Sequence, residues 1–116
     1  MIRLLCLLVF LIFINGYASQ QQVTISRGFF TGSEYLEMSD TERRAYATGA
    51  VNGMLIAPLL GAPQERVDWL KKCTANMSDT ETAAILTRYI NTQPDQMSSS
   101  LNVITFNALR EACAKR

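Results

Sequence analysis

The chain has no histidine. That removes the commonest general base and the commonest metal ligand from any chemistry it performs. It also has no G-x-S-x-G turn, no phosphate-binding glycine loop and no glycine-rich dinucleotide turn. Ser98-Ser99-Ser100 is a serine run with no base to activate it. The acids Glu34, Glu37, Asp40, Glu42, Glu65, Asp68, Asp79, Glu81, Asp95 and Glu111 are scattered over expected first turns and polar faces. Nothing in their spacing pairs two of them as a glycosidase requires. No enzyme, cofactor or metal site is expected.

Long apolar runs are also missing. The one sustained run, Leu4–Ile14, carries no charge but is well short of the about 20 residues that span a bilayer. Arg3 precedes it, Asn15 and Gly16 break it, and Gly16-Tyr17-Ala18 places small residues at the positions a signal peptidase reads. This layout predicts a secretory signal over residues 1–18, with an uncleaved N-terminal anchor as the alternative. The expected mature N-terminus is Ser19. Intact-mass measurement of the exported protein checks this, and a full-length mass refutes cleavage.

Charge of either sign is not in excess. Eleven Lys and Arg face ten Asp and Glu, and removing Arg3 brings the two into balance. A balanced domain has no general attraction to nucleic acid or to an anionic membrane, so neither is expected as a partner. Cysteine is scarce, three in all, and Cys6 lies in the presumptive signal. The remaining two, Cys73 and Cys113, admit a single pairing, and a leftover pair in an exported chain argues for a disulfide. Loop closure between them is worth roughly 4 kcal/mol.

What is present is helical patterning. Ser19–Ser33 is polar and without period, an expected extended lead-in over 19–33 whose Phe29 and Phe30 are expected to dock on the core. Residues 34–116 form the expected domain, beginning with a short turn near Glu34–Met38. The pentapeptide MSDTE occurs at Met38–Glu42 and again at Met77–Glu81. In each copy a serine precedes a glutamate by three positions, the signature of a helix N-terminal capping box. Asp40 and Asp79 suit the first-turn dipole, and Met38 and Met77 are placed to act as staples. The following segments share only Ala45/Ala84, Thr48/Thr87 and Asn52/Asn91, which favours two uses of one capping device over a duplicated module.

The first capped helix is expected to run to Leu60-Gly61. Its small residues Ala45, Gly49, Gly53 and Ala57 recur every four positions, a stripe expected to receive another helix at close range. Further helices are expected at Gln64–Cys73, with Val67, Leu70 and Cys73 inward, and at Asp79–Asn91, with Ala83, Leu86 and Ile90 inward. The last is expected from Pro94 or Asp95 to Ala114, with Met97, Leu101, Ile104, Ala108 and Ala112 as its stripe. Trp69 falls off its helix's inward stripe, as a flank of the core or as an exposed contact. No stretch alternates with period two. The expected class is all-α, a small bundle of about four to five helices with one disulfide.

The ordered set Tyr46-x-x-Gly49-x-x-x-Gly53, Cys73, Ser78, Tyr89-Ile90-x-x-x-Pro94 and Ala108-Leu109-x-x-x-Cys113 resembles the Rap/Tai family of exported helical proteins, over about Phe29 to Cys113. The founding members of that family are immunity proteins for type VI secretion amidase effectors. Ala75-Asn76 after Cys73 and Glu111-Ala112 before Cys113 depart from the family's pattern. The resemblance implies a periplasmic domain that binds a secreted cell-wall amidase, blocks its cleft and, as members of the family often do, forms a homodimer. The other reading is a housekeeping periplasmic protein, a stress holdase or envelope-assembly factor with no toxin partner. Cleft blocking calls for a protruding ordered element, and two connectors have that character: the turn Gly61–Glu65 and the stretch Thr74–Met77. Gln64 and Asn76 are the expected polar contacts, and Trp69 a flanking anchor.

Overall fold

Each MSDTE serine sits immediately before a helix, and the reason is visible in the hydrogen bonds. The computed structural model describes residues 29–116; the expected signal, Cys6, the Ser19 cleavage point and most of the lead-in lie outside them. The described residues contain five α-helices and no strand: α1 Gly32–Glu37, α2 Asp40–Leu55, α3 Glu65–Thr74, α4 Asp79–Thr92 and α5 Leu101–Ala114. The all-α bundle expected from the sequence is the fold.

At α2 the Ser39 hydroxyl accepts from the Glu42 backbone N–H at 3.3 Å, and the Glu42 carboxylate accepts from the Ser39 N–H at 2.8 Å. At α4 only half of that box forms. Ser78 Oγ accepts from the Glu81 N–H at 3.0 Å, but the Glu81 carboxylate pairs instead with Arg116 at the end of α5. A third box, absent from the sequence reading, opens α1 between Thr31 and Glu34. Replacing Ser39 or Ser78 with alanine is expected to cost about 1 kcal/mol each, with Ser39 the larger because it anchors a complete box. Denaturant midpoints check this. The backbone and then the hydroxyl of Ser39 hold the Glu42 carboxyl below the ordinary glutamate value. The Glu42 contribution is therefore full above that ordinary value and is lost as pH falls through the lowered one. Glu42→Gln should remove this part of the acid sensitivity.

The helices pack as a bundle with a defined sense. α2 and α4 are antiparallel: Asp40 shares a groove with Asn91 and Thr92, and Leu55 shares another with Met77 and Asp79. α4 and α5 are antiparallel, with Glu81 on Arg116 and Tyr89 near Ala108. α3 runs parallel to α5, because Cys73 bonds Cys113 and Trp69 meets Phe106 and Arg110. The disulfide closes a separation of 40 residues with Cα atoms 5.7 Å apart. Leu70, Leu86, Ile90, Leu101, Ile104 and Leu109 are essentially inaccessible and form the centre with Tyr35.

Tyr35 shows how a polar atom is accommodated there. Its hydroxyl donates to the Ala83 carbonyl at 3.0 Å, and its ring meets Tyr46 edge-on at 5.9 Å. Burial pushes both phenols above the ordinary tyrosine value, more than neighbouring hydroxyls draw them back. α1 is held against the start of α5 by Gly32. A side chain there would come within 3.0 Å of Ile104 and 3.2 Å of the Met97 backbone.

Four expectations are corrected. The α-helix of the first MSDTE copy stops at Leu55, and a 3-10 turn, Ala57–Leu60, follows. Pro58 lacks the N–H that would continue the helical ladder. The small-residue stripe receives no helix: Ala45, Gly49 and Gly53 are exposed, and a Cβ added at either glycine meets nothing within 4 Å. The inward face of α2 is instead Ala47 and Val51, with Tyr46, Met54 and Leu55 packed beside them. The last helix starts at Leu101 rather than at Pro94 or Asp95, because Ser100 is extended and pairs with Thr31 while Phe30 O takes the Leu101 N–H. Phe29 and Phe30 are 62% and 53% exposed, so the described end of the lead-in docks through its backbone and not through its aromatics.

Candidate partner-binding surface

The C-terminal end of α2 presents the most exposed large apolar side chains of the described residues. Leu59 is 86% and Leu60 81% accessible, with Ile56 half-exposed beside them. They form a convex tip whose shape is fixed by its backbone. Leu59 N–H donates to Ile56 O at 2.9 Å, Gly61 N–H to Pro58 O at 3.1 Å and Ala62 N–H to Ala57 O at 3.1 Å. Gly61 closes the turn at φ 99°, in the left-handed region that favours glycine. Pro58 and Pro63 stiffen the two sides.

The tip follows a stretch of chain that carries no charge of its own. From Ala45 to Gln64 the sequence contains no Asp, Glu, Lys or Arg. The outward residues of α2 over that span are Ala45, Thr48, Gly49, Asn52 and Gly53. These small and polar residues lead to the apolar tip, with Lys71 and Asp79 beside Thr48 and Asn52, and Glu34, Glu37 and Glu42 beside Ala45. Contiguous exposed apolar surface of this kind marks interaction sites in folded proteins. At the tip itself, which carries no charge, complementarity to a partner would come from shape and buried apolar area.

The three contact residues expected from the sequence do not converge. Gln64 lies beside the tip, but its amide donates to Asp68 Oδ1 at 3.1 Å, within its own helix. Trp69 is part of the packing between α3 and α5. Its indole N–H donates to Arg66 O at 2.9 Å, its ring meets Phe106 edge-on at 6.0 Å, and the Arg110 guanidinium sits 5.0 Å above it. Such ring contacts are each worth about 0.5–1.5 kcal/mol. Asn76 is exposed in the turn after α3, where Met77 N–H donates to Thr74 O at 3.1 Å. Gln64 and Asn76 flank opposite ends of α3, so roughly 15 Å or more separates them. Of the two connectors singled out by sequence, only Gly61–Glu65 adjoins the apolar tip.

Ile56, Leu59 and Leu60 were missed because the sequence reading carried the helix through them. The proline at position 58, followed by two leucines and a glycine, is the signal that was available. No group of His, Cys, Asp and Glu with metal-holding geometry occurs among the described residues, and no described helix is long and apolar enough to cross a membrane. Comparison with known protein families, with curated proteins and with solved structures finds no match to this chain.

Proposed function

We propose that the exported domain is a periplasmic immunity protein that binds a peptidoglycan amidase effector of a type VI secretion system and blocks its cleft. The observation that carries this reading is the leucine tip: two large side chains held almost fully in solvent at the end of a disulfide-closed bundle. A convex, rigid, uncharged knob is complementary to a concave apolar groove, and its order is established before binding, which lowers the entropic cost of association. The resemblance carried by Tyr46, Gly49, Gly53, Cys73, Tyr89, Pro94 and Cys113 supplies the class of partner, a secreted cell-wall amidase.

The test has two stages. The exported protein is used to capture partners from periplasmic and secreted fractions, and any amidase recovered at equal stoichiometry is then purified and assayed on cell-wall peptide. Inhibition at one-to-one ratio supports the proposal. Recovery of no amidase, together with protection of unrelated client proteins after acid or heat shock, replaces it with the housekeeping reading.

A further inference from the structure

A groove along the N-terminal half of α2 carries positive charge that the fold uses only in part. It runs between α2 and α4, floored by Ala83 and Ala84, with Arg43 and Arg44 on one wall and Arg88 on the other. Asp40 is the one acid in its lining. From Thr80 to Thr92 it follows α4 for about 18 Å, the length of roughly five extended residues.

The three guanidiniums are committed to different degrees. Arg43 is tied down: it donates to the carbonyls of Tyr35 and Leu36 and lies over the Tyr35 ring. Arg44 is only half committed. Its Nη1 stands 3.8 Å from Asp79 Oδ2, the outer limit of an ion pair, and the Asp79 carboxylate already accepts the Thr80 N–H at 2.7 Å. The Arg44 Nε is buried and has no hydrogen-bond partner among the described residues. That atom is closed off from the groove, but 42% of the side chain is accessible, so a ligand would meet Arg44 through the terminal nitrogens of its guanidinium. The Arg88 side chain is exposed, and its guanidinium makes no hydrogen bond or ion pair with any described residue, although its backbone carbonyl accepts the Thr92 hydroxyl at 3.1 Å.

We infer that this groove binds an acidic polypeptide segment in extended form, with its carboxylates taken by Arg44 and Arg88 from opposite walls. A trough several residues long, with separated guanidiniums, suits spaced carboxylates better than one compact anion. Planar guanidinium groups grip carboxylates in two-point contacts, and the partly enclosed Arg44 favours the charged ligand further. The domain has no general excess of positive charge that would draw a nucleic acid instead. The inference does not rest on the amidase reading, because the groove lies along the N-terminal half of α2 and the leucine tip lies beyond its C-terminal end.

The test uses the exported, oxidised protein and an acetylated hexaglutamate peptide at low ionic strength. Calorimetry measures affinity, and NMR follows the arginine Nε–H signals. The expected result is saturable binding that moves the Arg44 and Arg88 signals. Arg88→Gln and Arg44→Lys should each weaken it by about tenfold or more while the thermal midpoint stays unchanged. Arg44→Lys keeps the charge and removes the planar guanidinium, which separates geometry from charge. No binding, or affinity in both variants equal to that of the unmodified protein, overturns the inference. Displacement by inorganic phosphate at equal charge reduces the groove to a generic anion site and also overturns it. Tighter binding of a thymidine hexanucleotide than of hexaglutamate does the same in favour of nucleic acid.

Discussion

Cys113→Ala should lower the unfolding free energy by about 2–5 kcal/mol, and reducing the native protein should do the same. The size follows from what the bond holds. α3 is 10 residues long, and an isolated helix of that length is marginal in water. It buries only Val67 and Leu70 fully, with Trp69 partly covered against Phe106 and Arg110. The bond to Cys113 fixes the C-terminal end of α3 to the last turns of α5 and closes 40 residues of chain. For a domain whose whole stability is of order 5–15 kcal/mol, that is a large share. Denaturant midpoints of the oxidised and reduced protein measure it, and equal midpoints refute it. The loss should be uneven: amide exchange should accelerate first in α3 and in the turn before it, since the tip Leu59–Gly61 leads directly into that helix. Stability and presentation of the tip are therefore coupled through one covalent bond.

The elements that sequence made legible are those where local chemistry and tertiary packing agree. Both MSDTE serines cap helices because a hydroxyl followed three positions later by a glutamate satisfies the first-turn N–H groups wherever the helix lies. The inward faces of α4 and α5 were legible because Leu86, Ile90, Leu101 and Ile104 repeat at the helical period with polar residues opposite. α2 defeated the same reasoning. Its apolar residues are spread around its circumference, so periodicity does not say which side turns inward, and the glycine stripe took the place of the true face at Ala47 and Val51. The start of α5 was misplaced because Pro94 is a good first-turn residue, and the competing capture of Ser100 and Leu101 by Phe30 and Thr31 is a long-range event. Candidate site residues were the least legible. Gln64 and Asn76 stand out by residue type and connector position and Trp69 by residue type alone, whereas the exposure of Leu59 and Leu60 depends on where Pro58 ends the helix and on no described residue packing over the turn.

Replacing both tip leucines, Leu59→Asp with Leu60→Asp, should abolish partner binding while leaving the fold intact. Both side chains are more than four-fifths accessible, so the folded domain loses almost no buried apolar area, and the stability change should stay within about 0.5 kcal/mol per site. In a complex the same side chains would be desolvated at the centre of an uncharged patch, where single anchors commonly contribute about 2 kcal/mol or more. Two such losses, with two carboxylates carried into an apolar groove, predict at least about a thousandfold weaker association. Gly61→Ala should act more mildly. It keeps both leucines but strains the left-handed closure of the turn by about 1–2 kcal/mol, loosening the tip's geometry without changing its chemistry. Asn76→Ala is the contrasting control, because Asn76 lies at the far end of α3. The measurement is inhibition of the captured amidase by each folded variant, beside its denaturant midpoint. If the double aspartate variant inhibits as well as the unmodified protein, the tip is not the anchor. If Asn76→Ala alone abolishes inhibition, the interface moves to the turn between α3 and α4. If the aspartates remove inhibition and the midpoint holds, the leucines act in binding, and the exposure that the fold maintains has its physical reason.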